Sequence, residues 1–384
     1  MKKILAMALV LCMMFALCAT ASAEGTTRVA MITDYGDITD QSFNQTTYEA
    51  CKEFCEEKGI DFKYYKPGSD SDEDRISSIE DAIDENFNVI VMPGYAFAGT
   101  IVEAAPNYPD VKFVALDVAL GDLLEAGVTA AGGEYDYDPT NWNLDEYVDM
   151  SNVYCAVYQE ELCGYMAGYA AVKLGYTKLG FLGGMAVPAV IRYGYGFVQG
   201  ANAAADELGV DVELKYVYGG QFYGDGDITA AMDTWYKAGT EVVFACGGGI
   251  FTSVAEAAAA AGGKIIGVDV DQAPLIDGIY GEGITLTSAV KAFRPVVYDV
   301  LASEAMGSFP GNYPFPLGIW SENPANNYVQ LADSTRFNDS FTREDYADLA
   351  AAVAYDILSV SDEINCEPGD YATVIELIFR GNLK

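Results

Sequence analysis

From Arg28 to Ala305 the chain alternates short β-rich apolar runs with stretches of helical periodicity. Nothing else in the sequence constrains the fold as strongly, because strand–helix alternation is the mark of a parallel sheet covered by helices on both faces. The first run is Arg28 to Thr33, and the helix after it sets Tyr48, Cys51, Phe54 and Cys55 at three- and four-residue spacing until Gly59 stops it. Strands are predicted at Phe62 to Tyr65, Asn88 to Met92 and Lys112 to Asp117, with Ile76, Ile79, Ala82 and Ile83 forming one helical face between the first two. The alternation restarts at Val153 to Tyr158. It continues through strands at Lys178 to Leu182, Val212 to Val217, Glu241 to Cys246, Lys264 to Val268 and Gly283 to Thr287, and ends in a helix from Lys291 to Ala305.

The reading is an α/β protein of two doubly wound parallel-sheet lobes joined by a hinge. Residues 24–158 with about 291–330 form the N-terminal lobe and residues 159–290 the C-terminal lobe; a tail over 331–384 crosses between them. Chain crossings are expected near Tyr158, near Val290 and beyond Leu317. Between Leu120 and Ser151 the periodicity fails, which predicts a long loop. Its Asp136, Asp138, Asn141, Asn143 and Asp145 lack the glycine and terminal glutamate of a calcium loop, so the stretch reads as solvated and acidic. Tyr135, Tyr137 and Trp142 either pack this loop onto its own domain or form a lid over the cleft.

Composition narrows the function. The 384 residues carry 21 basic and 57 acidic side chains, a net charge of −36, which repels a phosphate backbone and argues against a nucleic-acid partner. Apolar residues make up 51 % and charged ones 20 %, enough to bury a large core. There is no histidine, which removes the usual general base and every Ser–His or Cys–His nucleophile. No metal, cofactor or catalytic set is expected. At the N-terminus Lys2 and Lys3, the apolar run Ile4 to Leu17 and Ala21-Ser22-Ala23 form a signal peptide over residues 1–23, so the protein is expected to be exported, periplasmic or associated with the cell surface. The competing reading makes Cys18 a lipidated first residue, although Leu17 stands where a small residue is expected. Cys155 and Cys246 fall inside apolar strands and read as buried core rather than as disulfides.

In open parallel sheets, ligands bind beyond the carboxyl ends of the strands. The turns there hold Asp34 to Gln45, Asp117, Gly183-Gly184, Phe222 to Asp225, Gly247 to Gly249, Asp269 to Gln272 and Thr287 to Lys291. Ser42 with Gln45 reads as a capping box that sets Phe43 and Asn44 in a first helical turn. The inventory is aromatics, amides and carboxylates with one lysine. It suits a neutral, hydroxyl-rich ligand with a flat ring: aromatic faces stack the ring and polar groups read its edge and hydroxyls. The glycine turns match neither GxxxxGK[ST] nor a GxGxxG after a strand, so phosphates have no cradle.

The segments GDITDQSFNQ, QEELCGYMAGYAA, KLGFLGGMAVPAVIRYGYGFVQGA, VVFACGGGIFTSVAEAAAAAG, IIGVDVDQ and LTSAVKAF resemble, in order and spacing, the basic membrane protein family and its PnrA-like purine nucleoside receptors. The resemblance spans roughly residues 28 to 305. It implies the type I periplasmic-binding-protein fold and a monomeric substrate-binding protein of an ABC importer, with permease and ATPase subunits as partners and membrane contact through the permease or a lipid anchor. It further implies that Phe43 and Phe222 stack the two faces of a base, with Tyr223 able to replace Phe222. Asn44 and Asp117 would meet the base edge, and Asp269 and Lys291 would hold the ribose hydroxyls with the Gly248 backbone nearby. A sugar or other polyhydroxylated metabolite, or a sensory ectodomain, are the alternatives.

Overall fold

A computed structural model of the chain describes residues 27–34, 36–311, 314–321, 323–355 and 357–383. The signal segment and Cys18 lie outside them. The first half runs β1 (Arg28–Ile32), α1 (Phe43–Lys58), β2 (Asp61–Tyr65), α2 (Asp72–Asp84), β3 (Val89–Pro93), α3 (Ala98–Asn107), β4 (Lys112–Leu116), α4 (Leu120–Ala130) and β5 (Val153–Tyr158). The second runs α5 (Glu160–Lys173), β6 (Lys178–Gly183), α6 (Pro188–Leu208), β7 (Glu213–Tyr218), α7 (Gly226–Lys237), β8 (Val242–Cys246), α8 (Phe251–Ala261), β9 (Lys264–Asp269), α9 (Ala273–Tyr280) and β10 (Thr285–Lys291). The chain then continues through α10 (Phe293–Ala305), β11 (Phe315–Leu317), β12 (Val329–Leu331), α11 (Arg343–Ala354) and β13 (Glu376–Asn382).

The sheets have the orders β11-β5-β4-β3-β1-β2 and β12-β10-β9-β8-β6-β7-β13. Every pairing is parallel except that of β12 with β10. The central strands β3 and β8 are buried along their whole length, which explains their unbroken apolar sequences. The order β2-β1-β3-β4-β5 of the first sheet repeats as β7-β6-β8-β9-β10 in the second. Each half therefore reverses strand order at one place, and that is where an open α/β sheet holds its ligand.

The chain passes between the sheets after Tyr158, after Lys291, and between Leu317 and Val329. After the second passage α10 packs on α1, with Tyr298 edge-on to Phe54 and Arg294 paired with Glu53 at 3.0 Å. Helices α5 and α6 approach backbone to backbone because glycines face each other. A Cβ on Gly164 would stand 2.1 Å from the Tyr193 carbonyl oxygen, and one on Gly200 would stand 1.9 Å from that of Tyr165.

Two regions differ from the sequence reading. Residues 120–130 of the expected long loop are helix α4, which buries Leu123, Leu124 and Val128. Gly121, Gly127 and an N-cap alanine conceal it in the sequence; Asp122 does the capping instead, accepting from the Ala119 amide at 2.8 Å. The rest of the loop packs Tyr135, Trp142 and Tyr147 against the core of its own half. Asp136 accepts from Asn141 Nδ2 at 2.8 Å and Trp142 Nε1 at 2.7 Å, so the acidic stretch is a hydrogen-bonded turn rather than a lid.

The tail, expected to cross between lobes, instead adds both α11 and β13 to the second half. Tyr346 of α11 accepts from the Leu331 amide at 2.7 Å, and β13 covers the open edge of β7. Between them the chain lies along α6: Gln199 bonds Ser361, Tyr195 donates to the Cys366 carbonyl at 2.7 Å, and Asn202 accepts from the Thr373 amide.

Candidate functional site

The carboxyl ends of both sheets open onto one cleft of about 800 Å³. Phe43, Asn44 and Asp117 line it from the first half, and Phe222, Gly248, Asp269 and Lys291 from the second, so the seven residues expected to meet the ligand share one cavity.

At the start of α1 the expected capping box does not form. Asp40 takes its place, its carboxylate accepting from the backbone amides of Ser42 at 2.9 Å, Asn44 at 3.0 Å and Gln45 at 3.1 Å. An ionised carboxylate is a stronger acceptor than a hydroxyl. Ser42 is thereby released, and its Oγ donates across the cleft to Asp269 Oδ2 at 2.5 Å. Asp40 also accepts from Asn44 Nδ2 at 3.0 Å, which fixes the amide orientation because a carboxylate can only accept. The Asn44 Oδ1 atom is left buried, with no donor among the described residues. The Phe43 ring leans on Phe293, centroids 4.7 Å apart.

Opposite, glycine turns seat Phe222. A Cβ on Gly184 would stand 2.4 Å from the Phe222 ring and one on Gly247 2.9 Å from it, so both positions must lack a side chain. The Gly249 amide donates to the Phe222 carbonyl at 2.8 Å. Tyr223 also lines the cleft but is 63 % exposed, whereas Phe222 is held.

At the floor, Lys291 Nζ lies 2.5 Å from Asp117 Oδ2 and 2.8 Å from Glu160 Oε1. Glu160 Oε2 in turn meets Arg192 Nε at 2.6 Å. The rings of Phe43, Tyr158 and Tyr193 surround the ammonium at 5.3, 5.3 and 5.4 Å. Burial works against the charge on Lys291, but Asp117, Glu160 and Asp269 outweigh it and hold the ammonium well above its ordinary range. Burial likewise opposes the Glu160 charge, yet Arg192 and Lys291 hold its carboxyl below the ordinary value. Asp117 and Asp269 are both pushed up by burial, with Lys291 opposing in each case.

Glu160, Arg192 and Tyr193 lie on helices rather than in the turns after strands, and no ligand role is expected of them from the sequence. The signal was there. Residues buried in α5 include nearly every position from Cys163 to Val172, so a glutamate at its start has no solvent face and either pairs with a cation, as Glu160 does, or keeps its proton.

Together the cleft offers two aromatic faces from opposite halves, acceptors at Asn44, Asp117 and Asp269, and an ammonium. Such a set can stack a flat ring and bind several hydroxyl or amino donors. Among the described residues no helix is long and apolar enough to cross a membrane.

Residues 27–348 match the Bmp family, described as ABC transporter substrate-binding protein PnrA-like. The chain is 28 % identical over 320 residues to the ABC transporter nucleoside-binding protein BmpA of Lactococcus lactis, covering 77 % of this chain and 81 % of that one. It is 29 % identical over 283 residues to basic membrane protein A of Borreliella burgdorferi, covering 72 % and 73 %. Among solved structures, an ABC transporter solute-binding protein from Conexibacter woesei shares the fold with a TM-score of 0.64 at 22 % identity, over 88 % of this chain and 99 % of that one.

Proposed function

The chain belongs to the family of PnrA-like ABC transporter substrate-binding proteins, and from that premise we propose that it captures a nucleoside, a purine nucleoside by preference, and delivers it to a membrane permease. The observation that carries this reading is that Phe43 and Phe222 approach one cleft from opposite halves above a floor of Asp117, Asp269 and Lys291. A base fits between the two rings, its edge on Asn44 and Asp117. The ribose hydroxyls then reach Asp269, Lys291 and the Gly248 backbone. The relative named as nucleoside-binding supports the choice of ligand.

The mechanism is hinge closure about the three passages between the sheets. Each stacked aromatic contributes about 1–3 kcal/mol, by analogy with single-strand binders. Two stacks with several hydroxyl bonds reach the roughly −8 kcal/mol of a micromolar site after ordering costs. The closed form docks as a monomer on the permease, whose ATPase subunits complete the importer. In this reading the protein is exported through residues 1–23 and meets the membrane through the permease or through a lipid on Cys18.

Calorimetry of the ligand-stripped mature chain against adenosine, guanosine, inosine, uridine, cytidine and ribose tests the proposal. Tight binding of a purine nucleoside without binding of ribose is expected. Ribose binding alone would move the ligand to the sugars, and silence across the panel would sink the nucleoside reading.

A further inference from the structure

The geometry points to Glu160 and Arg192 as positioning residues for ligand capture: neither touches the ligand, and together they hold the Lys291 ammonium in the place from which it binds the ligand's hydroxyls. This rests on the assignment of Lys291 as a ligand contact made above.

Lys291 is the last residue of β10 and is 4 % exposed. Its ammonium carries three protons. One is given to Asp117 at 2.5 Å, and Glu160 stands beside it as an ion partner at 2.8 Å, so a proton remains for the cleft that Lys291 lines. A lysine head on a flexible four-carbon stem has no preferred direction of its own. Asp117 alone could pull it toward the first half. Glu160, at the start of α5, draws it back toward the second, and the ammonium is fixed between the two.

Glu160 is wholly buried, and neither it nor Arg192 lines the cleft. A buried carboxylate with a single cationic partner is costly unless its second oxygen is also satisfied. Arg192 of α6 does this at 2.6 Å, and it can reach because the glycines of α5 and α6 bring the helix backbones into contact. The remaining groups facing the ammonium are the Asp269 carboxylate, the Cys163 and Cys246 thiols and the three aromatic rings. None of these supplies a charge on the α5 side. The chain Arg192 to Glu160 to Lys291 to Asp117 thus links two helices of the second half to a strand end of the first.

The test is a double-mutant cycle read by calorimetry with inosine, on the mature wild type, Glu160→Gln, Lys291→Met and the double variant. Glu160→Gln keeps the side-chain shape and is expected to weaken inosine about tenfold or more, as expected for loss of a charge-assisted contact. In the Lys291→Met background the same change is expected to cost nothing further; a loss that adds fully to that of Lys291→Met would overturn the proposal. Should Glu160→Gln fail to fold, Arg192→Gln enters the network from its far end, with a smaller loss and the same absence of additivity.

A second readout needs no nucleoside and separates this inference from the ligand assignment. The neutral amine is the form that reacts, so the rate of reductive dimethylation of Lys291, followed by peptide mass spectrometry from about pH 7 to 11, tracks its small unprotonated fraction. In ligand-free Glu160→Gln the rate at each pH is expected to rise about tenfold or more relative to wild type. Superimposable profiles would refute the positioning role even if inosine binds, and a shifted profile would sustain the hold of Glu160 on Lys291 even if inosine does not.

Discussion

Asp117 and Asp269 end equivalent strands of the two sheets with the same left-handed backbone, φ 64° in each, and both carboxylates face Lys291. Side chains other than glycine adopt this conformation at a cost of about 1–2 kcal/mol, aspartate and asparagine most readily. Strain of this kind, repeated at matching places and directed at one cleft, marks a site that the surrounding fold holds in shape. Asp269→Gly and Asp269→Ala both remove the carboxylate, but only glycine relaxes the backbone. Both are expected to lose nucleoside binding, with the glycine variant more stable than the alanine variant by about 1 kcal/mol. Urea unfolding of the two variants measures the difference, and equal stabilities would contradict the strain.

The seating of Phe222 by glycine turns gives the second prediction. Gly184→Ala drives a methyl group into the Phe222 ring, 2.4 Å from its nearest carbon. The ring must shift, and affinity is expected to fall by about tenfold, close to the effect of Phe222→Ala. Phe43→Ala should abolish measurable binding and leave the fold intact. In calorimetry Gly184→Ala should add nothing once Phe222 is already alanine.

Ser42 bonds Asp269 across the two halves at 2.5 Å, a contact that exists only while the halves are together. Removing it with Ser42→Ala takes away a hydrogen bond to a charged group, about 1.5–3 kcal/mol. Closure should become less favourable, and dissociation of bound inosine in stopped-flow displacement should accelerate about tenfold or more. An unchanged dissociation rate would show that the bond plays no part in holding the ligand.

Glu161, beside the network, is 3 % exposed and has a buried oxygen with no donor among the described residues. Burial first, and then the charge of Glu160, push its carboxyl from 4.5 to about 8. In the folded chain it keeps a proton that the unfolded chain releases above pH 4.5. Its contribution to stability is therefore complete below about pH 4.5, declines as pH rises and is lost above about pH 8. Glu161→Gln imitates the protonated form at every pH. Its stability advantage over wild type is expected to grow from pH 5 to pH 8 in urea unfolding, and an advantage that does not change with pH would refute the assignment.

Much of this arrangement was legible in the sequence because a parallel sheet writes itself as alternating runs and places its ligand at known turns. Phe43, Asp117, Phe222 and Asp269 fall in those turns among many other residues, and the resemblance to the basic membrane protein family is what singles them out as ligand contacts. What remained hidden depends on relations that no local pattern carries. Ser42 and Gln45 have the spacing of a capping box, but Asp40, two residues earlier, offers the α1 amides a charged acceptor and wins. Helix α4 was read as loop because its glycines interrupt a short period, and its packing on Trp142 and Tyr147 is tertiary. Arg192 and Glu160 meet only because two helices far apart in sequence touch through glycines. The course of the tail was set by the free edge of β7, which becomes apparent only once the sheet order is known.

A crystal structure of the mature chain with inosine would decide whether this cleft captures a nucleoside. The base is expected between Phe43 and Phe222, its edge on Asn44 and Asp117, and the ribose hydroxyls on Asp269 and Lys291. A base lying outside the two rings, or a ribose turned away from Lys291, would overturn the assignment.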